Sequence, residues 1–402
     1  AMACVALEIT QKCNLDCTLC YLSDLSQAVQ DVPKFELKRR IKMIHSHYGA
    51  YTNIQITGGD PTLRSIEDLV EIVKEVKKYK MRAALFTNGI LASRKMLEAL
   101  SEAGLDDIAY HVDLTQERKG YNSEIELNKV RKEYIDRTKD LPIRILFNTT
   151  VYDQNVREVP KLVNFFVENS EDINMVSFQM QADTGRGLLG ARDEDLITQE
   201  RVMSLIEEGV GIPLNFDLPM IGHPSCNKYS AILKSGKSKS QLYSDNKFFE
   251  LLYSRIAVFK SDWNKDAKVA YKIAKECFKS LPLLMRGLLY SLKTAWRLKW
   301  GLISLKKPHR ISFFIHNFMD AKKLERERCE SCVFMTASAE GPISMCVYNA
   351  KRDSMISQKV VTPEGTWSPI PVEEMNKIYK ASKDLPRNKF RGRLRQQRDT
   401  NP

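Results

Sequence analysis

Three cysteines near the amino terminus have a spacing that suits a metal cluster. Cys13, Cys17 and Cys20 lie in the stretch "CNLDCTLCY" at separations of four and three residues. Thiolates are soft ligands, and this spacing lets one loop supply three of the four thiolates that a [4Fe-4S] cluster takes. The fourth iron would then be open to a small molecule. A zinc site or an incidental cysteine-rich loop is the alternative.

A second set of four cysteines lies in the other half of the chain. Cys329 and Cys332 form a CxxC pair, Cys346 follows in "GPISMCVYNAKRD", and Cys226 lies in "GHPSC". Four thiolates would close a second, auxiliary [4Fe-4S] cluster with no open iron, which suits electron transfer or a structural role. A tetrahedral zinc site would use the same ligands.

The elements that must position the first set alternate between strand and helix. Six strand-like runs are predicted at 5–10, 53–57, 82–87, 107–112, 143–151 and 175–180. Helical patterns at 65–79 and 93–104 lie between them. Such alternation predicts a parallel sheet in an α/β fold, here a partial (β/α)6 barrel. Active residues of such folds lie at the carboxyl ends of strands, and Cys13 follows the first strand.

The sequence pattern changes after Gly211. Residues 212–230 are rich in loop formers, 245–305 are mostly helical, and 310–320 have the pattern of a strand. We therefore predict four parts. They are a barrel at 1–211, a loop with a basic helical insertion at 212–310, an auxiliary cluster region at 311–372 and a basic carboxyl-terminal tail at 373–402.

Composition narrows the class of protein. The chain has 402 residues, of which 43% are hydrophobic, enough for a large buried core. No apolar run reaches the roughly 18 to 20 residues of a membrane span, and no secretory signal is apparent. The nine cysteines are clustered, which favours metal or redox chemistry over a secreted disulfide framework. Cys4 and Cys277 have no partner by spacing and fit buried structural positions. A cytoplasmic protein is predicted.

The net charge of +12 is concentrated in two segments. Residues 255–310 hold 14 Lys and Arg against 3 Asp and Glu, and residues 383–399 hold 7 against 2. The remaining chain is mildly acidic. The high pI therefore reports local basic surfaces that would meet an anionic partner.

The basic segment contains an amphipathic helical pattern at 282–307. At 100° per residue one stripe contains Leu284, Met285, Leu288, Leu289, Leu292, Ala295, Trp296, Trp300 and Ile303. Arg286, Lys293 and Arg297 lie opposite. An apolar face with two tryptophans backed by cations is typical of an interfacial helix, so we predict peripheral attachment to the inner face of a membrane. A core-facing helix with a solvated basic face is the alternative. No nucleic-acid motif accompanies the charge, and no nucleic-acid partner is expected.

The cysteine loop after the first strand resembles the radical S-adenosylmethionine (SAM) superfamily over the first half of the chain. The resemblance implies that Cys13, Cys17 and Cys20 hold a [4Fe-4S] cluster whose fourth iron chelates SAM. It also implies one-electron reduction of SAM by a donor such as ferredoxin or flavodoxin. The resulting 5′-deoxyadenosyl radical would remove hydrogen from an unactivated C–H bond.

Other residues at strand ends match this resemblance. In "TGGDP" (57–61), Gly58, Gly59 and Asp60 look like the glycine-rich segment that receives the SAM amino group. The family commonly has an aromatic residue before the last cysteine, whereas here Leu19 takes that place and Tyr21, a candidate for contact with SAM, follows. The remaining candidates for contact with SAM or substrate are Asn88 in "TNG", Asp113 in "HVDLT" for the ribose, Asn148 and Thr149 in "FNTTV", and Gln179 in "SFQMQ".

Four segments are similar to the tetraether lipid synthase group within this superfamily. They are "GGDPTLR" (58–64), "FNTTV" (147–151), "HPSC" (223–226) and "VYNAKRD" (347–353). The similarity implies hydrogen abstraction from a lipid alkyl chain and carbon–carbon bond formation. Related sequences carry a pterin methyltransferase label, so methylation is an alternative. A peptide-modifying maturase and a non-enzymatic iron–sulfur binding module are the others.

His316 in "FFIHNFMD" has two interpretations. It could transfer a proton or contact substrate. The alternative is a buried histidine whose hydrogen bonds are satisfied beside a strand.

Overall fold

The computed structural model of the chain describes residues 4–185, 197–256 and 266–370. The predicted basic tail at 373–402 lies outside the described residues, as do positions 371 and 372 of the predicted auxiliary cluster region. The predicted boundaries at 211 and 310 stay predictions.

Thirteen strands are present in the described part of the chain. They are β1 (Cys4–Thr10), β2 (Asn53–Gly58), β3 (Arg82–Thr87), β4 (Asp107–His111), β5 (Arg144–Val151), β6 (Ile173–Met180), β7 (Asn227–Ser235), β8 (Ser238–Gln241), β9 (His309–Asn317), β10 (Phe334–Ala337), β11 (Pro342–Ser344), β12 (Val360–Thr362) and β13 (Gly365–Trp367).

Twelve α-helices connect or flank these strands in the same ranges. They are α1 (Lys34–Tyr48), α2 (Ile66–Lys78), α3 (Arg94–Glu102), α4 (Asn128–Thr138), α5 (Val159–Glu168), α6 (Gln199–Val210), α7 (Asn246–Ile256), α8 (Asp266–Phe278), α9 (Leu281–Ile303), α10 (Arg326–Glu330), α11 (Met345–Ala350) and α12 (Arg352–Ser357).

Strands β1 to β6 lie side by side in chain order and are all parallel. A helix follows each of the six strands, so the predicted partial (β/α)6 barrel is confirmed. Each predicted strand agrees with the observed one to within two residues. The carboxyl ends of the six strands meet at one edge of the sheet, which is where the cysteine loop begins.

The two faces of this sheet differ because successive side chains on a strand point to opposite sides. Val5, Leu7 and Ile9 of β1 join the large apolar core, which also contains Ile41 of α1 and Leu69 of α2. We call the opposite side, away from α1 to α6, the inner face. It is defined by Glu8, Thr57, His111, Asn148 and Gln179, which lie at alternate or paired positions. Polar residues are concentrated near the carboxyl end of this face.

The predicted helices at 65–79 and 93–104 are confirmed, and serine side chains fix where both begin. The Ser65 hydroxyl accepts a hydrogen bond from the Asp68 backbone N–H, and the Ser93 hydroxyl accepts one from that of Met96. Such caps satisfy backbone donors that have no partner within the helix. Gly104 ends the second segment with φ of +98°.

Residues after 211 extend the same sheet at both edges. Strand β9 pairs in parallel with β6, and the antiparallel β7 and β8 follow it. At the opposite edge β10 pairs in parallel with β1, and β11 follows in antiparallel. The strand predicted at 310–320 is confirmed as β9. The β7–β8 hairpin, which turns at Gly236 with φ of +56°, was not predicted although Ser-Gly is a turn signal.

Helices α7 to α9 confirm the helical prediction for 245–305 except at 257–265, which lie outside the described residues. These helices have a separate small core. Phe248, Phe249 and Leu252 of α7 pack with Leu283 of α9 and with Cys277. Gly301 of α9 lies so close to the Ser235 carbonyl that a Cβ atom would come within 2.0 Å of its oxygen. The helices are therefore seated on the β7–β8 edge. No helix in the described ranges is long and apolar enough to cross a bilayer.

Candidate functional site

The three clustered cysteines occupy the loop that leaves the carboxyl end of β1. Cys13, Cys17 and Cys20 are half-buried, and none of them forms a disulfide. Residues 14–16, between the first two, form one wall of a cavity of about 550 Å³ whose other walls include the 116–119 loop and α4. The predicted SAM contacts, all of them described residues, do not line this cavity.

Backbone hydrogen bonds fix the cysteine loop on two sides. The Gly59 N–H donates to the Thr10 carbonyl at 2.9 Å, and the Asp60 N–H donates to that of Lys12 at 2.8 Å. Further along, the Thr18 N–H donates to the Thr115 carbonyl at 2.8 Å. Gly59 and Asp60 lie at the end of β2, and Thr115 lies in the turn after β4. The loop is therefore held in a defined shape by the sheet.

The contact between the end of β2 and the cysteine loop requires glycine at both Gly58 and Gly59. A Cβ atom at Gly58 would lie 1.9 Å from the Thr10 carbonyl oxygen, and one at Gly59 would lie 1.9 Å from that of Lys12. Gly58 also has φ of +125°, which residues with a side chain rarely adopt. The two glycines let β2 pass against the base of the cysteine loop. Any larger residue would push the loop away.

Asp60 joins the ends of β2 and β3. Its carboxylate accepts hydrogen bonds from the Thr62 N–H at 3.0 Å, from the Thr87 hydroxyl at 2.9 Å and from the Asn88 N–H at 2.8 Å. Burial raises the pKa of Asp60, and these hydrogen bonds oppose the rise. The side chain of Asp60 is thus fully occupied by protein donors. Its predicted contact with the SAM amino group stays a prediction.

Asn88 connects the third strand to the cysteine loop directly. Its side-chain amide donates to the Asn14 side-chain oxygen at 2.6 Å, and its own side-chain oxygen accepts from the Ile90 N–H at 3.0 Å. Arg118 donates to the Asn88 carbonyl at 2.7 Å. Asn88 therefore contacts the loop that carries Cys13, and its predicted contact with SAM stays a prediction.

Asp113 is buried beneath a histidine that the sequence analysis did not select. The Asp113 carboxylate lies 2.6 Å from His111 Nε2 and accepts from the Thr150 N–H at 2.8 Å and the Thr115 N–H at 3.0 Å. Burial alone would raise the pKa of Asp113, but His111 and the hydrogen bonds lower it well below its usual range. Burial lowers the pKa of His111, but Asp113 outweighs this and raises it.

The exposed member of this pair is His111. Its side chain is 32% exposed, whereas that of Asp113 is fully buried. Because Nε2 faces Asp113, Nδ1 is the nitrogen that is left for another partner. The predicted ribose contact of Asp113 stays a prediction. The group of this pair that a bound molecule can reach is the imidazole.

Asn148 and Gln179 lie on the inner face as predicted, whereas Thr149 does not. His111 of β4 pairs in register with Asn148 of β5, and Thr150 of β5 pairs with Gln179 of β6. Thr149 is fully buried, and its hydroxyl lies 3.5 Å from the Val112 carbonyl. The prediction that Asn148 and Thr149 both point inward was wrong for Thr149, because adjacent strand residues face opposite sides.

The donor set in the amino-terminal loop fits a [4Fe-4S] cluster. Three thiols lie on one anchored, partly exposed loop at the end of β1, and a cubane takes one thiolate per iron. Among the described residues no three His, Cys, Asp or Glu side chains are placed to hold a single metal ion. A cluster does not require its thiolates to converge on one point, so Cys13, Cys17 and Cys20 are the residues that would hold it.

The second set of cysteines is brought together from three distant segments. Cys226, Cys332 and Cys346 line one small cavity of about 20 Å³. Burial raises the pKa of Cys346 to about 11, and the charges of Cys332, Cys226 and Cys329 add to the rise. The fold thus groups all four cysteines that the sequence analysis assigned to one site. The metal that they would hold stays a prediction.

An arginine accompanies this second set. Arg328 is buried, and its Nε donates to the Cys226 thiol at 3.1 Å while Nη2 donates to the Asn317 carbonyl at 2.7 Å. Burial raises the pKa of Cys226, and Arg328 opposes that rise because a cation favours the thiolate. Arg328 therefore favours the thiolate form of Cys226.

His316 has the contacts of a structural histidine. It stacks on Phe314 at 4.2 Å and on Phe318 at 5.4 Å between ring centroids, and meets the Phe334 ring edge-on at 4.5 Å. Its Nδ1 lies 3.0 Å from the Asn227 side-chain oxygen. Burial lowers the pKa of His316 to about 3, so the ring is neutral at physiological pH. Of the two interpretations, the satisfied histidine agrees with this geometry.

Comparison with known proteins adds a family assignment to this geometry. The sequence profile of the radical SAM superfamily matches residues 7–166, which include the cysteine loop, the glycine pair and strands β2 to β5. Residues 7–166 contain a radical SAM domain. Such a domain implies one [4Fe-4S] cluster and SAM, which together supply a carbon radical able to take a hydrogen atom from an unactivated C–H bond. The prediction of a radical SAM enzyme is confirmed.

Curated relatives of this radical SAM enzyme have several different reactions in their names. The 7,8-dihydro-6-hydroxymethylpterin dimethyltransferase of Methanocaldococcus jannaschii is 22% identical over 90% of this chain and 79% of the relative. A probable GTP 3′,8-cyclase of Thermoplasma volcanium is 28% identical over 43% of the chain, and the PqqA peptide cyclase of Bradyrhizobium diazoefficiens is 26% identical over 42%. The chain spans about half of these two proteins, 53% and 44%.

Solved structures of radical SAM proteins give partial superpositions. The structure named anSMEcpe with bound AdoMet has a TM-score of 0.41 at 18% identity, over 52% of this chain and 59% of the other. Streptococcus suis SuiB has a TM-score of 0.40 at 18% identity, over 52% and 47%.

Three functional candidates emerge from the structure and not from the sequence. They are His111 beside Asp113, Arg328 beside Cys226, and Arg352, which is buried against Glu8. The sequence could have indicated only the Glu8–Arg352 pair, because an acidic residue within the apolar run "VALEIT" indicates a buried partner. The arginines belong to charged stretches in which no spacing distinguishes one cation from another.

Proposed function

We propose that this radical SAM enzyme removes hydrogen from the alkyl chain of a lipid and that a carbon–carbon bond is formed. Joining two alkyl carbons removes one hydrogen atom from each, so two SAM molecules and two electrons are consumed for each bond. A one-electron donor such as ferredoxin or flavodoxin would supply the electrons. The chain's own part is to hold SAM and lipid together on the inner face and to exclude water.

The observation that carries this proposal is the exposed apolar stripe of α9. Leu292, Trp296, Trp300 and Ile303 are each 68–69% exposed, although they are large apolar side chains. The side of α9 that packs on the protein is a different one and includes Leu283 and other residues. Leu284, at the start of the stripe, packs against the α7–α9 core, whereas these four residues do not face it. Contiguous exposed apolar surface of this kind marks an interaction site.

Helix α8 extends the apolar surface. Its Tyr271 and Phe278, seven residues apart on one face, are 70% and 76% exposed, and Leu281 begins α9 with an exposed side chain. On the opposite side Tyr290 of α9 stacks on Phe248 at 5.1 Å and donates its hydroxyl to the Leu242 carbonyl at 2.8 Å. The two helices are thus anchored to the protein on one side and present aromatic side chains on the other.

The charges around this stripe favour an anionic lipid surface. Lys293 and Arg297 are exposed, and Lys299 lies 3.5 Å from the centre of the Trp296 ring. Tryptophan with flanking cations suits the boundary between head groups and acyl chains. An interfacial helix would bring alkyl chains to the enzyme without crossing the bilayer. We therefore propose peripheral attachment to the inner face of the membrane.

The four segments that resemble the tetraether lipid synthase group support the same substrate class. "GGDPTLR" ends β2 beside the cysteine loop, and "FNTTV" brings Asn148 to the inner face. "HPSC" contains Cys226 of the second cysteine set, and "VYNAKRD" contains Arg352, which pairs with Glu8 on the inner face.

An auxiliary [4Fe-4S] cluster on the second cysteine set belongs to this proposal. Replacing Cys332 with Ala removes one of its four ligands. We expect iron after anaerobic reconstitution to fall from about eight to about four atoms per chain. Replacement of Cys277, a buried thiol in the α7–α9 core, is the matched control and should leave the iron content unchanged. Unchanged iron in the Cys332 variant together with bound zinc would show a zinc site instead.

The proposed reaction is tested by anaerobic turnover. The reconstituted protein is reduced with dithionite in the presence of SAM and vesicles of total lipid extract, and nucleoside and lipid fractions are analysed by mass spectrometry. Coupling predicts 5′-deoxyadenosine together with a lipid that has lost two hydrogens for each new bond. Tandem mass spectrometry separates a joined chain from a desaturated one. Formation of 5′-deoxyadenosine with every lipid unchanged would overturn the lipid substrate.

Methylation is the second candidate, because the relative that covers most of the chain is named a pterin dimethyltransferase. It predicts a mass gain of one CH2 on the product, and the same turnover assay with a pterin substrate tests it. Peptide modification, the reaction in the name of the PqqA relative, predicts no change in either lipid or pterin.

Vesicle binding tests the membrane surface separately from turnover. Lys293→Glu with Arg297→Glu reverses two exposed cations one turn apart. Arg286 is left unchanged because it pairs with Asp245 at 3.6 Å. At roughly 1 kcal/mol per cation, we expect at least tenfold weaker sedimentation with phosphatidylglycerol vesicles.

The matched control reverses Lys38 and Lys42 of α1, which have the same spacing and exposure on the other side of the sheet. This variant has the same net charge as the first and should bind like wild type. Equal weakening of both variants would show that only net charge matters, and the proposed surface would be wrong. Binding to phosphatidylcholine vesicles alone reports the apolar contribution.

A further inference from the structure

Tyr21, the residue after Cys20, is held from three directions. Its hydroxyl donates to the Gly58 carbonyl at 2.5 Å. The Arg352 guanidinium lies over its ring, 4.6 Å from the centroid. Its backbone carbonyl is approached so closely by Gly185 that a Cβ atom there would lie 2.3 Å from the oxygen. The ring and the peptide of Tyr21 are therefore fixed relative to the glycine pair.

Arg352 is the centre of a buried polar network on the inner face. It is 3% exposed, and its two terminal nitrogens donate to the Glu8 carboxylate at 2.8 and 3.0 Å. It also donates to the Gln11 side chain at 3.2 Å and to that of Asn349 at 2.7 Å. A buried guanidinium with this many acceptors has one orientation, because any other leaves a charge without compensation.

The network connects the second cysteine set to the first. Tyr348, two residues after Cys346, donates to the Glu8 carboxylate at 3.2 Å, and its ring centroid lies 5.1 Å from the Arg352 guanidinium. Arg352 thus lies close to two tyrosine rings, one next to Cys20 and one next to Cys346. Asp353 also accepts a hydrogen bond from Ser23. The carboxyl-terminal segment is attached to the stretch that leaves the cysteine loop.

We propose that Tyr21 and Arg352 are positioning residues that hold the Gly58 carbonyl and Cys20 in the arrangement that binds SAM. A carbonyl oxygen has two lone pairs, so the Tyr21 hydroxyl occupies one and leaves the other for an ammonium donor. Arg352 fixes the Tyr21 ring and so transmits the position of the carboxyl-terminal segment to the glycine pair. The inference rests on the radical SAM assignment and on Gly58–Gly59 as the amino-group segment, and is independent of the lipid.

The sharpest test is Tyr21→Phe, which keeps the ring under Arg352 and removes only the hydroxyl. SAM affinity of the reconstituted protein is measured by equilibrium dialysis, and the change that SAM causes in the EPR spectrum of the reduced cluster is titrated. We expect the SAM Kd to rise roughly fivefold, the size of one lost hydrogen bond. The rate of 5′-deoxyadenosine formation at saturating SAM should stay within about twofold of wild type.

Tyr290→Phe is the matched control, because it also removes a hydroxyl that donates to a backbone carbonyl, but in the α7–α9 core. Its SAM Kd should be that of wild type. Equal SAM Kd values and EPR titrations for Tyr21→Phe, Tyr290→Phe and wild type would overturn the proposal. So would a lower saturating rate of Tyr21→Phe at an unchanged Kd, because the hydroxyl would then act on the reaction itself.

Arg352 is tested with a conservative and a neutral substitution. Arg352→Lys keeps the charge beside Glu8 but loses the planar fork, and Arg352→Met loses both. The SAM Kd should increase in the order wild type, Lys, Met. If Arg352→Met does not fold because Glu8 remains as a buried charge, Glu8→Gln with Arg352→Met removes both charges and takes its place. A wild-type SAM Kd in the folded neutral variant would refute the role of Arg352, and failure of lipid turnover alone would leave it untouched.

Discussion

The cysteine loop with its surroundings and the α8–α9 pair are built in opposite ways. Around the loop, polar groups such as Asp60, Asp113 and Arg352 are buried and form hydrogen bonds with protein partners. Along α9, apolar side chains such as Trp296 and Trp300 are exposed. The first arrangement favours one fixed geometry, and the second favours contact with an apolar phase that has no fixed geometry. The difference indicates that the cysteine loop requires a fixed geometry, whereas the α8–α9 pair requires an exposed apolar surface.

The largest effect that would test this contrast is loss of a thiolate in the loop. Cys17→Ala should abolish formation of 5′-deoxyadenosine, because two ligands do not hold the cluster, while the far-UV circular dichroism spectrum stays that of the folded protein. Cys277→Ala, the buried thiol away from both sets, should keep full SAM cleavage. Retained cleavage in the Cys17 variant would refute the cluster assignment.

Removal of a buried charge near the loop should cost the most stability. Arg131 is fully buried, donates to the Val112 carbonyl at 2.7 Å and forms an ion pair with Glu124. Arg131→Met leaves the Glu124 carboxylate buried without its cation, so we expect unfolding free energy to fall by about 3–5 kcal/mol. Urea denaturation measures it. A loss below 1 kcal/mol would mean that this region is less rigid than its contacts indicate.

Truncation of the exposed tryptophans should leave stability almost unchanged and should weaken binding to vesicles. Trp296→Ala with Trp300→Ala removes large apolar side chains that are exposed and lie outside the core, so unfolding free energy should change by no more than about 0.5 kcal/mol. Partition into anionic vesicles should fall on the order of tenfold or more. Phe248→Ala, which truncates a buried ring of the same helical unit, should instead destabilise the protein. Unchanged vesicle binding would show that the stripe does not bind the membrane.

The smallest expected effect concerns pH. The folded-state pKa of His111 is raised by Asp113, so the pair adds stability that is fully present below the unfolded histidine value of about 6.5. This stability is lost as pH rises through the raised value. The difference in melting temperature between wild type and His111→Gln should therefore shrink as the buffer pH is raised from 6.5 upward. A constant difference would mean that His111 is neutral in the folded protein.

The strands and helices of the first half could be predicted because local signals agree there. Apolar runs end at Gly58 or at polar residues such as Asn88 and Asp113, and serines mark where helices begin. The cysteine spacing and the glycine pair were sufficient for the family. Placement of Thr149 failed because the residue type was considered without the two-residue alternation of a strand.

The long-range arrangement could not be predicted in the same way. Nothing in the sequence around Cys4 indicates that β10, which begins at Phe334, is its neighbour. Arg352 and Glu8 are 344 residues apart, and their pairing follows from the path of the whole chain. The exposure of the α9 stripe also had to be observed, because the same periodicity is typical of a helix that packs on a core.

The position of β1 between β2 and β10 has a consequence for synthesis of the chain. Cys4, at its amino-terminal end, pairs with Phe334, so one edge of β1 is without its partner strand until almost the whole described chain has been translated. At about 5–20 residues per second, that delay is on the order of tens of seconds. During this interval the strand that leads into the cysteine loop is open to pairing with other chains. Insertion of iron and sulfide after release from the ribosome would therefore meet a loop whose supporting sheet is complete.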